Sequence, residues 1–189
     1  TMTIGSGIAL AYSNGKPYTI SDPAFIKIGQ GTVAGIPIPI ILLFIFCAAG
    51  LIILNMTTFG RYVFAIGGNK NAAKLSGVRT RVIQLAVYVI SSVCAWMVGL
   101  ILAARISSGQ PIAGEGYEMD AIAATAIGGT SMSGGIGSLT GTMCGFVLLG
   151  LLSNSMNLMN INSFYQKMVK GLLIILAVFL DMRTKGKKD

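Results

Sequence analysis

Two long apolar stretches constrain the fold of this chain more than any other feature. They cover residues 39–56 and 82–104, and neither contains an acidic or a basic residue. Apolar runs of about 18 residues or more predict helices that cross the hydrocarbon core of a membrane. Over the whole chain only 11% of residues are charged, whereas a soluble domain carries about 25%. The sequence therefore predicts an all-α, polytopic membrane protein.

The stretch between these two spans, residues 59–81, is strongly basic. It contains five positive side chains and no acid: Arg61, Lys70, Lys74, Arg79 and Arg81. Short loops rich in Lys and Arg lie on the cytoplasmic side of a membrane, so the net charge of +8 indicates membrane orientation and not nucleic-acid binding. We expect the acidic loop 105–120 and the polar loop 13–37 outside, and the basic tail 183–189 inside.

Three further segments follow residue 120, and the inside tail requires an odd number of crossings among them. They are segment C at 121–132, segment D at 136–156 and segment E at 169–182, which gives about five transmembrane helices in all. Even if segment C is extended to 119–133, it rises only about 22 Å, against a hydrocarbon core of about 30 Å. The glycine-rich residues 128–135 follow it. They are either a broken or re-entrant-like element packed near a transport pathway or a plain turn on the inside.

Segments D and E carry polar and small residues whose roles are not fixed by the sequence. Gly137, Gly141 and Gly145 recur every four residues, which predicts a helix face that a neighbouring helix approaches closely. Lys167 and Lys170 lie near the predicted outer end of E, where they either extend toward the interface or face a pathway. Near the outer end of D, an asparagine cluster either caps the helix or contacts a polar substrate: Asn154, Asn157, Asn160 and Asn162.

The centre of the basic stretch predicts a short helix. Asn69 is a favourable N-cap for residues 70–76, and Gly77 suits the left-handed position that ends a helix. Ala72 and Ala73 are small enough for a partner surface to come close, and Arg61 and Lys74 could meet acids on it. The alternative is an ordinary surface loop with favourable caps.

The same stretch resembles a known family. Asn71-Ala72-Ala73-x-x-x-Gly77 is similar to the EAA…G coupling loop of ABC importer permeases, with Asn71 at the position where Glu is usual. Three longer strings resemble the branch that imports ribose, xylose and galactose: TTFGRYVFAIGGNKNAAKLSGV, GYEMDAIAATAIGGTSMSGGIGSLTGT and NSFYQKMVKGLLIILAVFLD. The resemblance covers nearly the whole chain. It implies a C-terminal portion of such a permease, and residues 1–12 look like the end of a helix already under way; the alternative is a complete small protein.

The resemblance implies a permease in the bacterial plasma membrane that performs no chemistry itself and needs no cofactor. A second permease subunit, expected to form a homodimer, would complete the channel, and an extracytoplasmic sugar-binding protein would deliver the substrate. A cytoplasmic ABC ATPase would dock on residues 59–81, chiefly at Gly60, Arg61, Asn69, Asn71, Ala72, Ala73, Lys74, Leu75 and Gly77. The residues expected along the substrate pathway are Gly128, Gly129, Thr130, Ser131, Asn154 and Asn157.

Two other classes of function compete with the permease. A secondary transporter or channel would place ionisable groups within its spans, but segments 39–56, 82–104 and 136–156 contain none. A membrane enzyme would need a nucleophile, a general base or a metal site, and the chain has no His and no nucleotide-binding P-loop pattern. Cys47, Cys94 and Cys144 are scattered among apolar runs and predict neither a disulfide framework nor a metal site.

Overall fold

The computed structural model describes residues 2–185, with the side chains of residues 2–179. The predicted all-α class is confirmed. Within the described range the helices are α1 (Met2–Ser13), α2 (Pro23–Gln30), α3 (Ile38–Met56), α4 (Thr58–Gly68), α5 (Lys70–Leu75), α6 (Thr80–Ile106), α7 (Tyr117–Ile127), α8 (Leu139–Leu158) and α9 (Ser163–Lys185). The strands have two residues each: β1 (Tyr18–Thr19), β2 (Thr32–Val33), β3 (Ile36–Pro37) and β4 (Ser108–Gly109).

Three helices of the described range, α3, α6 and α8, are long and apolar enough to cross a membrane. The most apolar windows of α3 and α6 are 0% buried, so these surfaces are available to lipid or to other protein. Segment C forms α7, whose 11 residues rise only about 16 Å, and segment E lies within α9. The count of five crossings stays a prediction, as does the inside position of the tail, whose last four residues lie outside the described range.

The chain divides into two compact units. The first comprises the chain up to Ala49 together with Gln84–Glu115. In it, β1 and β4 pair antiparallel, with Tyr18 opposite Gly109. Gln30 Nε2 donates to the Arg105 carbonyl at 2.9 Å and to Ser107 Oγ at 3.0 Å. The two loops predicted outside, 13–37 and 105–120, are therefore tied together at one end of this unit.

The helix α2 corrects our sequence-based expectation of a continuous loop over residues 13–37. Its start is specified locally, because Asp22 accepts a hydrogen bond from Ala24 N at 2.9 Å and Pro23 occupies the first helical position. Gly29 then lies so close to the backbone of Ala104 and Arg105 that an added Cβ would come within 2.5 Å of the Ala104 carbonyl carbon. A glycine at this position lets α2 pack directly on the end of α6.

The second unit comprises Gly50–Ile83 and the chain from Gly116 onward. Its core joins α7, α8 and α9 through Ala123, Ala124 and Leu149, with Ile127, Leu173 and Ile174 packed against them. An added Cβ on Gly128, at the end of α7, would lie 2.6 Å from the Gly141 carbonyl carbon, and Gly145 contacts the Ala124 carbonyl. The predicted close-approach face of segment D is confirmed for Gly141 and Gly145, while Gly137 precedes α8 and faces the Thr130 side chain.

An ion pair joins α7 to α9 in this unit. Lys170 Nζ lies 2.8 Å from Asp120 Oδ1, and the two side chains are 25% and 35% exposed. The ammonium group of Lys170 is therefore held by a carboxylate in the first turn of α7, and its position at the interface or along a pathway stays a prediction.

Candidate coupling segment and glycine turn

The basic stretch folds into two short helices joined without a loop. Only the second, α5, was predicted; α4 is an addition that the structure makes. Thr57 separates α3 from α4, and its hydroxyl donates to the Ile53 carbonyl at 2.6 Å and accepts from Gly60 N at 3.4 Å. Gly60 is buried against the Leu54 carbonyl, where a side chain would collide. Gly60 therefore lets the start of α4 pack closely against the end of α3.

The predicted caps of α5 are confirmed. The Asn69 side chain accepts hydrogen bonds from Asn71 N and Ala72 N, each at 3.0 Å. The Asn69 amide donates to the Ala65 carbonyl at 3.1 Å, so one residue ends α4 and begins α5. Gly77 has φ +83° with open space around it, which means that a larger residue there would strain the backbone rather than obstruct a neighbour.

The outer surface of α5 combines one apolar side chain with positive charge. Leu75 is 90% exposed, and Asn71, Ala72 and Lys74 are also exposed. Ala73 is only 5% exposed, so it faces its own chain. An exposed leucine beside positive charges suits a partner protein whose surface has an apolar recess surrounded by acidic side chains.

The charges of this segment are unpaired within the described part of the chain. Each of its five Lys and Arg side chains is exposed, and the ion pair found among residues 2–179 is that of Lys170 with Asp120. Within the same residues, no group of three or more His, Cys, Asp and Glu side chains could hold a metal ion. The arrangement suits recognition of a partner surface, since it gathers positive charge around an exposed apolar group.

The glycine-rich segment between α7 and α8 is an ordered turn. Ser131 N donates to the Ile136 carbonyl at 2.9 Å, and Gly134 N donates to the Ser131 carbonyl at 3.1 Å. The hydroxyls of Thr130 and Thr142 lie 3.4 Å apart and share a hydrogen bond. Ser131 is 7% exposed, whereas Gly129 is exposed with φ +80°. Thr130 and Ser131 thus take part in closing the turn.

This turn lies directly against the end of α4, in the basic stretch. An added Cβ on Gly67, near the end of α4, would lie 2.6 Å from Gly135 N, and one on Gly134 would lie 2.6 Å from the Gly67 carbonyl oxygen. The turn is therefore at the same end of this unit as the basic helices, as the inside-turn interpretation expects, and it is tightly packed, as the broken-helix interpretation expects. We did not predict the pairing; its only signal in the sequence is a glycine doublet in each segment.

The asparagine cluster lies at the other end of α8. Asn157 Oδ1 accepts from Gln166 Nε2 at 2.8 Å, Asn162 Oδ1 accepts from Phe164 N at 3.1 Å, and Asn160 has φ +55°. Asn162 thus caps the start of α9, while Asn157 joins α8 to α9 and Asn154 is exposed on α8; substrate contact by Asn154 or Asn157 stays a prediction. The 20 residues of α8 span about 30 Å, so the six residues predicted along the pathway form two separate groups.

Comparison with known proteins identifies the family of the chain. Residues 2–178 match the family described as branched-chain amino acid transport system / permease component, and the chain belongs to that family. Its apolar helices and its family place it in the class of multi-pass permeases of the bacterial inner membrane.

Several curated relatives share more than two fifths of its residues. The chain is 44% identical to the ribose import permease of Haemophilus influenzae, over 100% of the chain and 59% of the relative. It is 41% identical to the L-arabinose transport system permease of Escherichia coli K12, over 100% of the chain and 58% of the relative. It is 42% identical to the xylose transport system permease of Haemophilus influenzae, over 81% of the chain and 41% of the relative. The chain thus spans less than three fifths of these relatives, and no solved structure matches it.

Proposed function

We propose that this chain is the coupling-bearing part of the membrane subunit of an ATP-driven importer for a monosaccharide. The observation that carries the proposal is α5, a capped helix between two spans that presents Leu75 at 90% exposure. The permease would change conformation and pass the sugar, while a cytoplasmic ATPase bound to the exposed face of α5 would hydrolyse ATP. Relatives named for ribose, L-arabinose and xylose import support the sugar class.

The docking step follows from the exposed groups of α5. Full burial of a leucine side chain contributes about 1.5–3 kcal/mol, so Leu75 would supply affinity. Lys70 and Lys74 would mainly speed association with an acidic surface and fix its orientation. Asn71 and Ala72 complete the exposed face, and the small side chain of Ala72 lets the partner approach closely.

The substrate is proposed to be a pentose, because ribose, arabinose and xylose are the sugars named for the relatives and all three are pentoses. Gly128 and the turn that it begins would line the inner part of the pathway, and Asn154 and Asn157 the outer part. The loops joined by the β1–β4 pair would face the extracytoplasmic sugar-binding protein. A second copy of the permease would complete the channel.

The test uses the full-length permease reconstituted with its ATPase and its sugar-binding protein. Uptake of labelled ribose, arabinose and xylose is measured with ATP, with a non-hydrolysable analogue, and with an ion gradient alone. We expect uptake of at least one pentose that requires hydrolysable ATP. Uptake driven by the ion gradient without ATP would instead identify a secondary transporter, the alternative raised by the sequence.

A further inference from the structure

The contact between α4 and the glycine turn is made by backbone against backbone. Each of Gly67, Gly134 and Gly135 lies where an added Cβ would meet the opposite main chain within 2.6–2.8 Å. The two main chains therefore approach each other with no side chain between them, and there is no room for a Cβ atom, so the contact leaves little compressible space. A shift of one segment is therefore passed to the other directly, without rotamer changes that would absorb it.

On one side, this contact is rigidly connected to α5. Gly67 is two residues from Asn69, and Asn69 caps α4 with its amide and α5 with its side chain. Asn69 is the single residue between the two helices and is hydrogen-bonded to both, so a shift of α5 is expected to displace the end of α4.

On the other side, the contact is rigidly connected to α7 and α8. The turn is closed by its own hydrogen bonds and fixed to α8 through the Thr130–Thr142 pair. Gly128 at its start contacts the Gly141 backbone of α8. The turn, α7 and α8 therefore move together when the turn is displaced.

We propose that the contact of Gly67 with Gly134 and Gly135 is a mechanical joint, through which movement of α5 reaches the α7–α8 helix pair. The inference rests on the proposed docking of an ATPase at α5, and it adds the route by which docking alters the membrane helices. In this role the glycines are positioning residues. Spatial adjacency alone does not establish coupling, so the test measures coupling itself.

The structure offers a matched pair of substitutions within α4. Gly67→Ala places a methyl group 2.6 Å from Gly135 N and forces the two segments apart. Gly68→Ala adds the same methyl one residue later, where nothing lies within 4 Å. Both variants are made in the full-length permease assembled with its ATPase, and three quantities are measured: affinity for the ATPase, ATP hydrolysis and sugar uptake.

We expect Gly67→Ala to bind the ATPase as tightly as the wild type, because the exposed face of α5 is unchanged. Sugar transported per ATP should fall about tenfold, within the usual range of coupling between sites. Gly68→Ala should match the wild type in all three measurements. Equal coupling ratios for Gly67→Ala and Gly68→Ala would overturn the inference.

A second measurement needs no variant, and it tests the proposed joint even if the Gly67→Ala permease does not accumulate in the membrane. Hydrogen exchange of residues 131–136 is followed in the wild-type complex when nucleotide is added. We expect these amides to change protection together with those of α5. A response confined to α5 would overturn the joint while leaving the proposed function intact, whereas an ATPase that does not bind the wild-type permease would refute the proposed function.

Discussion

Truncation of Leu75 tests the proposed docking surface with one small change. In the isolated chain this side chain is 90% exposed, so Leu75→Ala should alter folding stability by less than about 0.5 kcal/mol. Bound to an ATPase, the leucine would be buried, and the substitution removes three carbon atoms from that contact. At about 0.8 kcal/mol per buried methylene, the upper limit is about 2.4 kcal/mol, and incomplete burial reduces it to about 2 kcal/mol.

A loss of about 2 kcal/mol corresponds to a Kd about 30-fold weaker. The assay is titration of the purified ATPase against the full-length permease in nanodiscs, with melting temperature measured in parallel. The control is Leu158→Ala, which makes the same truncation at the far end of α8, where the leucine is 76% exposed. We expect the control to bind the ATPase normally. If Leu75→Ala and Leu158→Ala both bind like the wild type, α5 is not the docking helix.

Three further predictions concern the fold around the site. Gly145→Ala should destabilise the α7–α8 packing by about 1–3 kcal/mol, because a methyl group would collide with the Ala124 carbonyl. The control Gly150→Ala adds a methyl group in open space on the same helix and should be neutral or stabilising. Equal melting temperatures for the two variants would contradict this packing. Asp120→Asn should lower the melting temperature by leaving Lys170 unpaired, and adding Lys170→Met should restore it; a double variant no better than the single would show that the pair is unimportant. Asn69→Ala should cost about 1 kcal/mol of α5 stability, seen as faster amide exchange over residues 70–75, while Asn69→Ser should retain the cap; indistinguishable exchange in the two variants would refute the capping role.

The elements that the sequence predicted well are those fixed by local chemistry. The spans α3 and α6 follow from apolar length, and α5 follows from Asn69 at its start and Gly77 beyond its end. Each of these signals lies within a few residues of the structure it specifies. Local physics is therefore sufficient for them, and they are also the elements on which the proposed function depends.

The helices α2 and α4 were missed although local signals for both exist. Asp22 and Pro23 begin α2, and Thr57 caps α4, but the surrounding residues are rich in glycine and polar groups. The average composition of each segment favours a loop. In the structure, each helix is instead specified by its N-cap and by close packing, at Gly29 in α2 and at Gly60 in α4. Specific contacts therefore outweighed average propensity.

The long-range contacts could not be predicted, because periodicity shows that a face is buried but not what covers it. Nothing in a single sequence indicates that Lys170 meets Asp120, or that Gly67 meets Gly135. The spacing of Gly141 and Gly145 predicted a close approach, and only the structure showed that α7 is the approaching helix. The contact of Gly67 with Gly134 and Gly135 belongs to this group, so only the three-dimensional structure reveals it.

The most direct test of the central claim is a single cysteine in place of Leu75, which is 90% exposed on α5. Leu75→Cys is made in a permease whose native cysteines, including Cys47, Cys94 and Cys144, are replaced by serine. Inverted membrane vesicles carrying the assembled transporter are treated with a bifunctional maleimide, and intact cells are treated with an impermeant one. We predict a permease–ATPase cross-link in the vesicles and no labelling in the cells. Labelling from outside in intact cells, with no cross-link to the ATPase, would contradict the account.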